Sequence, residues 1–106
     1  MKNQPAEFLD VVEHDLNYAR DFYDSWLTGG AERFIARFRE AVTLIELNPE
    51  QFPKKHRHFH RAIIRRTYFG IYFTIEPEVT TVVAVLDLRQ DPRVIRSLIK
   101  LRLPRL

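Results

Sequence analysis

Apolar residues recur at helical spacing as far as Leu47 and, beyond Pro53, at the alternating spacing of strands; this change of period constrains the fold more than any other feature. In the first part, Asp10-Val11-Val12-Glu13 has the form of a capping box and predicts a helix start. Val12, Leu16, Ala19, Tyr23 and Trp26 follow as one stripe, widened by Phe22, with Glu13, Asp15, Asn17, Asp21 and Asp24 on the other side. Thr28-Gly29-Gly30 closes that helix, because glycine accepts the left-handed backbone that ends one. A second stripe of Phe34, Ile35, Phe38, Ala41, Val42 and Ile45 predicts a helix from about Ala31 to Leu47, stopped by Asn48-Pro49. So short a connection makes the pair an antiparallel hairpin.

Past Pro53 the segments His58 to Arg66, Tyr68 to Glu76 and Thr80 to Leu88 are rich in Ile, Val, Phe, Tyr and Thr. With breaks at Thr67 and at Glu76-Pro77-Glu78 they predict an antiparallel meander. Alternation turns Phe69, Ile71, Phe73 and Ile75 toward the helices, and Tyr68, Gly70, Tyr72 and Thr74 away from them. Ala6 to Leu9 reads as a short edge strand, with an unbroken helix from Pro5 as its rival. At the C-terminal end Val94, Ile95, Leu98 and Leu101 oppose Arg93, Arg96 and Lys100, which predicts a short basic amphipathic helix. The expected fold class is α+β: a helical hairpin on a small antiparallel β-sheet, in β-α-α-β-β-β order, then the basic helix. A length of 106 residues suits one domain over 1–106.

The absence of cysteine excludes disulfides and thiolate metal sites and points to a reducing cytoplasm. No apolar run approaches a membrane span and no apolar h-region follows Met1, so a soluble, unprocessed chain is expected. The net charge of +3 hides an asymmetry: residues 1–53 carry 5 basic against 10 acidic residues, and residues 54–106 carry 12 against 4. Opposed halves of this kind suit a partner rich in phosphate or carboxylate.

The acidic hairpin, the connector "NPEQFP", then "RAIIRRTYFGIYFTIE", a turn, "VVAVLDLRQDP" and a basic end resemble the RelE/ParE superfamily, the toxins of type II toxin-antitoxin modules, also called plasmid stabilisation proteins. The resemblance spans roughly Glu7 to Pro92 and is nearer to the ParE-like branch. It places Arg61 and the pair Arg65-Arg66 on the basic strand positions of these toxins. Gly70 and Tyr72 fall on an "FPYxIYY"-like strand, and Arg89, Asp91 and Pro92 on an "H-x-x-R-x-P"-like segment. Two departures matter: Thr67-Tyr68-Phe69 stands where Phe-Pro-Tyr is usual, and Asp87 where a histidine often ends the last strand.

The resemblance implies a cognate antitoxin as partner, and a target that is DNA gyrase in the ParE-like branch or the ribosome and its mRNA in the RelE-like branch. A homodimer and a toxin-antitoxin heterotetramer both stay open. The RelE-like alternative is a ribosome-dependent endoribonuclease, for which Arg61, Arg65 and Arg89 are the catalytic candidates. An Asp87 carboxylate beside phosphate would repel it unless paired with Arg89 or Arg65, and neither Tyr nor His follows Glu76 to move protons. The expectation is therefore a growth-inhibiting, basic binding toxin rather than an enzyme, with a non-toxic binding module as a further alternative. No cofactor is expected. Target or antitoxin contacts are expected at Arg61, Arg65, Arg66, Tyr72, Arg89 and Arg93, although Tyr68 and Tyr72 suit packing better than catalysis.

The stretch "HRHFHRAIIRR" raises the question of a metal. On one strand His56, His58 and His60 would share a face, but no carboxylate or cysteine nearby completes a ligand set. No metal site is expected, and exposed histidines in a basic segment are the better explanation.

Overall fold

The computed structural model describes residues 3–102. The elements run β1 (Ala6–Phe8), α1 (Val11–Trp26), α2 (Gly30–Leu47), a 3₁₀ turn (Pro49–Gln51), β2 (Lys54–His56), β3 (Phe59–Ile63), β4 (Phe69–Ile75), β5 (Thr80–Asp87) and α3 (Pro92–Arg102). The five strands form one sheet in the order β1-β5-β4-β3-β2. β2 to β5 are antiparallel to their neighbours, and the edge strand β1 joins β5 in parallel. The α+β hairpin-and-sheet architecture expected from the period change is therefore present, and the segment after Pro5 is the strand rather than the rival helix.

Helices cover both faces of the sheet. On one, Val12 and Ala19 of α1 and Phe34, Phe38, Ala41 and Ile45 of α2 pack on Ala62, Ile64, Phe69, Ile71, Phe73, Val82 and Val85. On the other, Ile95 and Ile99 of α3 close over Phe59, Tyr72, Val83, Ala84 and Leu86. β4 alternates between these cores as its sequence predicts. β5 does not, because its register with β4 shifts between Tyr72 and Phe73. The extra residue places Val83 and Ala84 together on the α3 side, the ordinary consequence of a bulge.

The capping box does not form: Asp10 is itself helical at φ −54, ψ −35, and its side chain caps nothing. The chain enters α1 through a turn from Leu9, whose carbonyl accepts from the Val12 N–H. Trp26 also leaves its stripe and is 62% exposed. Between the helices Gly29 takes φ 78, which glycine adopts without strain, and a Cβ on Gly30 would lie 2.2 Å from the Tyr23 carbonyl oxygen, so Gly30 leaves no room for a side chain. The Ala31 N–H is held by the Asp24 carboxylate.

On α3 the buried residues are Ile95 and Ile99, with Leu98 half-buried beside them. Leu101, expected in the stripe, is 78% exposed, and Val94 is 47% exposed. The helix is rotated so that Arg102, not Leu101, turns inward, toward Asp15 of α1.

Candidate functional site

Gly70 of β4 faces Leu88, whose Cδ2 would lie 2.9 Å from an added Cβ. That close approach brings the segment after β5 alongside the β3–β4 turn, where Leu88 N–H donates to the Tyr68 carbonyl at 2.7 Å. The turn itself spans Arg65 to Tyr68, so Arg65 and Arg66 stand at a hairpin tip and not on the strand expected to run to Arg66. Thr67 holds it from within: its hydroxyl donates to the Ile64 carbonyl and accepts from the Phe69 N–H. Tyr23 of α1 ties it to the helical layer by accepting the Tyr68 N–H at 2.9 Å.

Arg89 lies over this turn. Its guanidinium is 4.1 Å from the Tyr68 ring centroid and 5.1 Å from that of Phe22, and it donates to both carboxylate oxygens of Asp87, Nε to Oδ1 at 3.0 Å and Nη2 to Oδ2 at 2.6 Å. Those hydrogen bonds hold the Asp87 carboxyl below its usual range, outweighing the opposing effect of burial. The acidic residue standing where a histidine is usual is thus neutralised by its own neighbour. Arg93 repeats the arrangement with Asp91, Nη2 to Oδ2 at 2.8 Å, at the start of α3.

Between α2 and the β3–β4 turn runs a groove in two parts, of about 460 and about 340 Å³, which share Arg37 and Glu40. The first part is floored by Tyr23, Trp26, Leu27 and Phe34, with Arg66 at its rim; the second by Leu44, Phe52, Ala62 and Ile63, with Arg65 at its rim. Trp26, Leu27, Leu44 and Ile63 are all more than 40% exposed, so the groove presents apolar surface to solvent.

The expected site residues are divided by the sheet. Arg65 and Arg66 border the groove, and Arg89 sits on the aromatic cluster beside the same turn. Arg61 pairs in register with Tyr72 and lies on the α3 side. Tyr72 is 4% exposed beneath Ile95 and Ile99, and in this structure it packs the core rather than presenting a surface contact. The structure therefore does not bring Arg61, Arg65 and Arg89 to one point.

The histidines do not share a face. The chain reverses at Arg57, whose φ is 50, so His56 belongs to β2, His58 to the turn and His60 to β3. His60 is buried and stacks on Phe73, and its Nδ1 lies 2.7 Å from the Phe52 carbonyl, an acceptor that places the proton on Nδ1. No group of three or more potential metal ligands occurs among the described residues. Among the same residues no helix is long and apolar enough to cross a membrane.

Two structural clamps went unread in the sequence. Gln4 is 2% exposed, donates to the Glu76 and Pro77 carbonyls and accepts from the Thr80 hydroxyl, fastening β1 to the β4–β5 turn. Asp15, expected on the solvent side of α1, meets Arg102 at the sheet edge. Arg102 follows Leu98 by four residues and Ile99 by three, and that spacing was its one available signal.

A helical hairpin on one face of a mixed five-stranded sheet and a short basic helix on the other define a small two-core α+β fold, with an arginine-rimmed groove beside the β3–β4 turn. The family model for the ParE toxin of type II toxin-antitoxin systems, parDE, matches residues 6–92, and the chain belongs to that family. Among solved structures it is similar to the "Chromosomal ParDE TA system from P. aeruginosa", with a TM-score of 0.66 and 16% identity over 77% of this chain and 92% of that one. That likeness is one of fold. A search of curated proteins finds no match.

Proposed function

We propose that this chain, as a single domain over 1–106, is a cytoplasmic toxin that arrests growth by binding DNA gyrase without hydrolysing nucleic acid. A cognate antitoxin neutralises it by laying an apolar segment along the groove between α2 and the β3–β4 turn. The observation that carries the reading is the groove: exposed apolar walls with Arg33, Arg65 and Arg66 along them, beside the Arg37–Glu40 pair, fit a partner segment of apolar anchors flanked by carboxylates. The dispersal of Arg61, Arg65 and Arg89 supports binding over phosphodiester cleavage, since phosphate chemistry needs its cations aimed at one developing charge. Arg89 is also engaged by Asp87.

Trp26 is the only tryptophan and stands 62% exposed at the groove. Its emission reports occupancy directly. Antitoxin should shift that emission to the blue, and Leu44→Asp, which puts a charge in the groove wall, should weaken neutralisation while expression of the variant alone still arrests growth. An unshifted spectrum in a formed complex would place the antitoxin elsewhere. Unimpaired growth on expression of folded protein would refute toxicity and favour a non-toxic binding module.

A further inference from the structure

We propose that the face of the sheet covered by α3 carries a binding site for the phosphate backbone of a nucleic acid, formed by His56, Arg57, Arg61, Arg96 and Lys100. The inference stands apart from the choice of gyrase as target and from the antitoxin groove, which opens on the opposite layer.

Topology gathers these five. His56 is the register partner of Phe59, so it lies on the face where Phe59 packs against Ile95 and Ile99. Arg61 lies two residues beyond Phe59 on the same face, paired with Tyr72. Arg96 and Lys100, one turn apart, each follow a buried isoleucine of α3 and are exposed. Both act electrostatically on His56, as does Arg57: with burial as the larger cause, the three cations push the imidazole below its usual pKa.

Three observations give this cluster a ligand. First, Arg57, Arg61, Arg96 and Lys100, like several other cations of the chain, have no salt-bridge partner among the described residues; what sets them apart is that they gather around His56 on one face of the sheet. Four like charges are gathered here, and Asp91, which acts on Arg96, is itself held by Arg93. Second, the buried side-chain atoms that lack a hydrogen-bond partner among the described residues are His56 Nε2 and Arg61 Nε, both in this cluster. A shielded nitrogen without a partner costs stability until an acceptor arrives. Third, among the described non-glycine residues the left-handed region is occupied by Arg57 (φ 50) in this cluster and Arg66 (φ 62) at the groove, and glycine or asparagine would be less strained at either. Keeping an arginine there is economical only if its side chain is used.

The chemistry favours phosphate backbone over an acidic peptide. Peptide partners anchor apolar side chains in pockets, and the grooves described above, with a third beside Phe8 and Phe38, contain none of the five residues. A phosphate backbone asks only for positive charge and N–H donors spread along a surface.

The test is fluorescence anisotropy of a labelled 20-mer, as duplex DNA and as single-stranded RNA, with the full chain over a series of salt concentrations. Arg96→Ala/Lys100→Ala is compared with Arg20→Ala/Arg39→Ala, which removes the same charge from the helical layer. The first pair should weaken binding about tenfold or more and flatten the log-log salt slope by roughly 1 to 2, since each lost phosphate contact contributes about 0.7 to 0.9. The second should change affinity less than about twofold. Preference for duplex or single strand identifies the source of the phosphates. Arg57→Gly is the second arm: it should raise the melting temperature, by relieving the turn, while lowering affinity. Equal losses in the two double variants, no binding of either nucleic acid, or an Arg57→Gly variant that binds as well as the parent would overturn the assignment.

Discussion

Arg102, at the end of α3, reaches the edge of the sheet and clasps Asp15 of α1, with Nη1 2.6 Å from Oδ2 and Nη2 2.9 Å from Oδ1. β1 covers the edge of β5 only as far as Val82, so the next edge groups have no strand partner. The pair supplies them: Asp15 accepts the Val85 N–H at 2.9 Å, and Arg102 donates to the Val83 carbonyl at 3.1 Å. Helices from opposite faces thus meet around an open edge and satisfy it, which also denies it to another strand. This is why α3 turns Arg102 inward and leaves Leu101 in solvent.

Both side chains are mostly buried, 14% and 10% exposed, so removing one partner leaves the other's charge uncompensated. Arg102→Ala should cost about 3 kcal/mol, on the order of 10 °C in melting temperature, and expose the β5 edge to self-association. Asp15→Ala should cost as much, and the double variant less than the sum of the two. Urea denaturation of the four proteins, with light scattering for oligomers, checks this; additive losses would deny the coupling.

The interhelical turn gives a graded pair of variants. A Cβ at Gly30 meets the Tyr23 carbonyl oxygen at 2.2 Å, while at Gly29 nothing lies within 4 Å and only the positive φ opposes it. Gly29→Ala should therefore cost about 1 kcal/mol, and Gly30→Ala roughly 2 to 4 kcal/mol because the backbones of α1 and α2 must separate. Chemical denaturation curves in which Gly29→Ala is the more damaging would contradict this geometry.

Asp87 provides a pH test. Hydrogen bonding from Arg89 lowers its pKa from the ordinary 3.8, so the unfolded chain takes up a proton at higher pH than the folded one. The stability this contributes is fully present above about pH 4 and is lost as the pH falls through the lowered value. Asp91 behaves alike through Arg93. Asp87→Asn should flatten the acid limb of the stability curve below pH 4 and leave the shape near neutrality unchanged. An acid limb as steep as the parent's would show that the pair contributes nothing to it.

The hairpin and the central strand of the meander could be read from the chain because the two helical stripes between Val12 and Ile45 and the alternation from Phe69 to Ile75 last long enough to fix which side is buried. β2 could not: three residues of Lys54-Lys55-His56 carry no apolar alternation and are a strand only because β3 pairs with them. The histidines were misplaced for the same reason, since the reversal at Arg57 needs a left-handed residue that the sequence does not advertise with glycine. The break at Thr67 is legible, but the turn begins two residues earlier, at Arg65, because Arg66 takes φ 62 without a glycine to signal it. Tyr72 alternates with Phe73 as expected, yet whether its face meets solvent or a helix depended on where α3 docks. Asp15 and Arg102 lie 87 residues apart, and neither spacing nor polarity connects them.

Gyrase binding without cleavage of RNA is what separates the proposed toxin from a ribonuclease. The most direct measurement is plasmid supercoiling by purified gyrase with increasing amounts of the full chain, run beside primer extension on ribosome-bound message. Inhibited supercoiling or accumulated cleaved DNA complexes, relieved by antitoxin, with message intact, is the expected result, together with a graded, salt-sensitive weakening for Arg65→Ala. Untouched gyrase, together with codon-position-specific cuts in message that Arg61→Ala or Arg65→Ala abolishes, would contradict it and make the protein a ribonuclease.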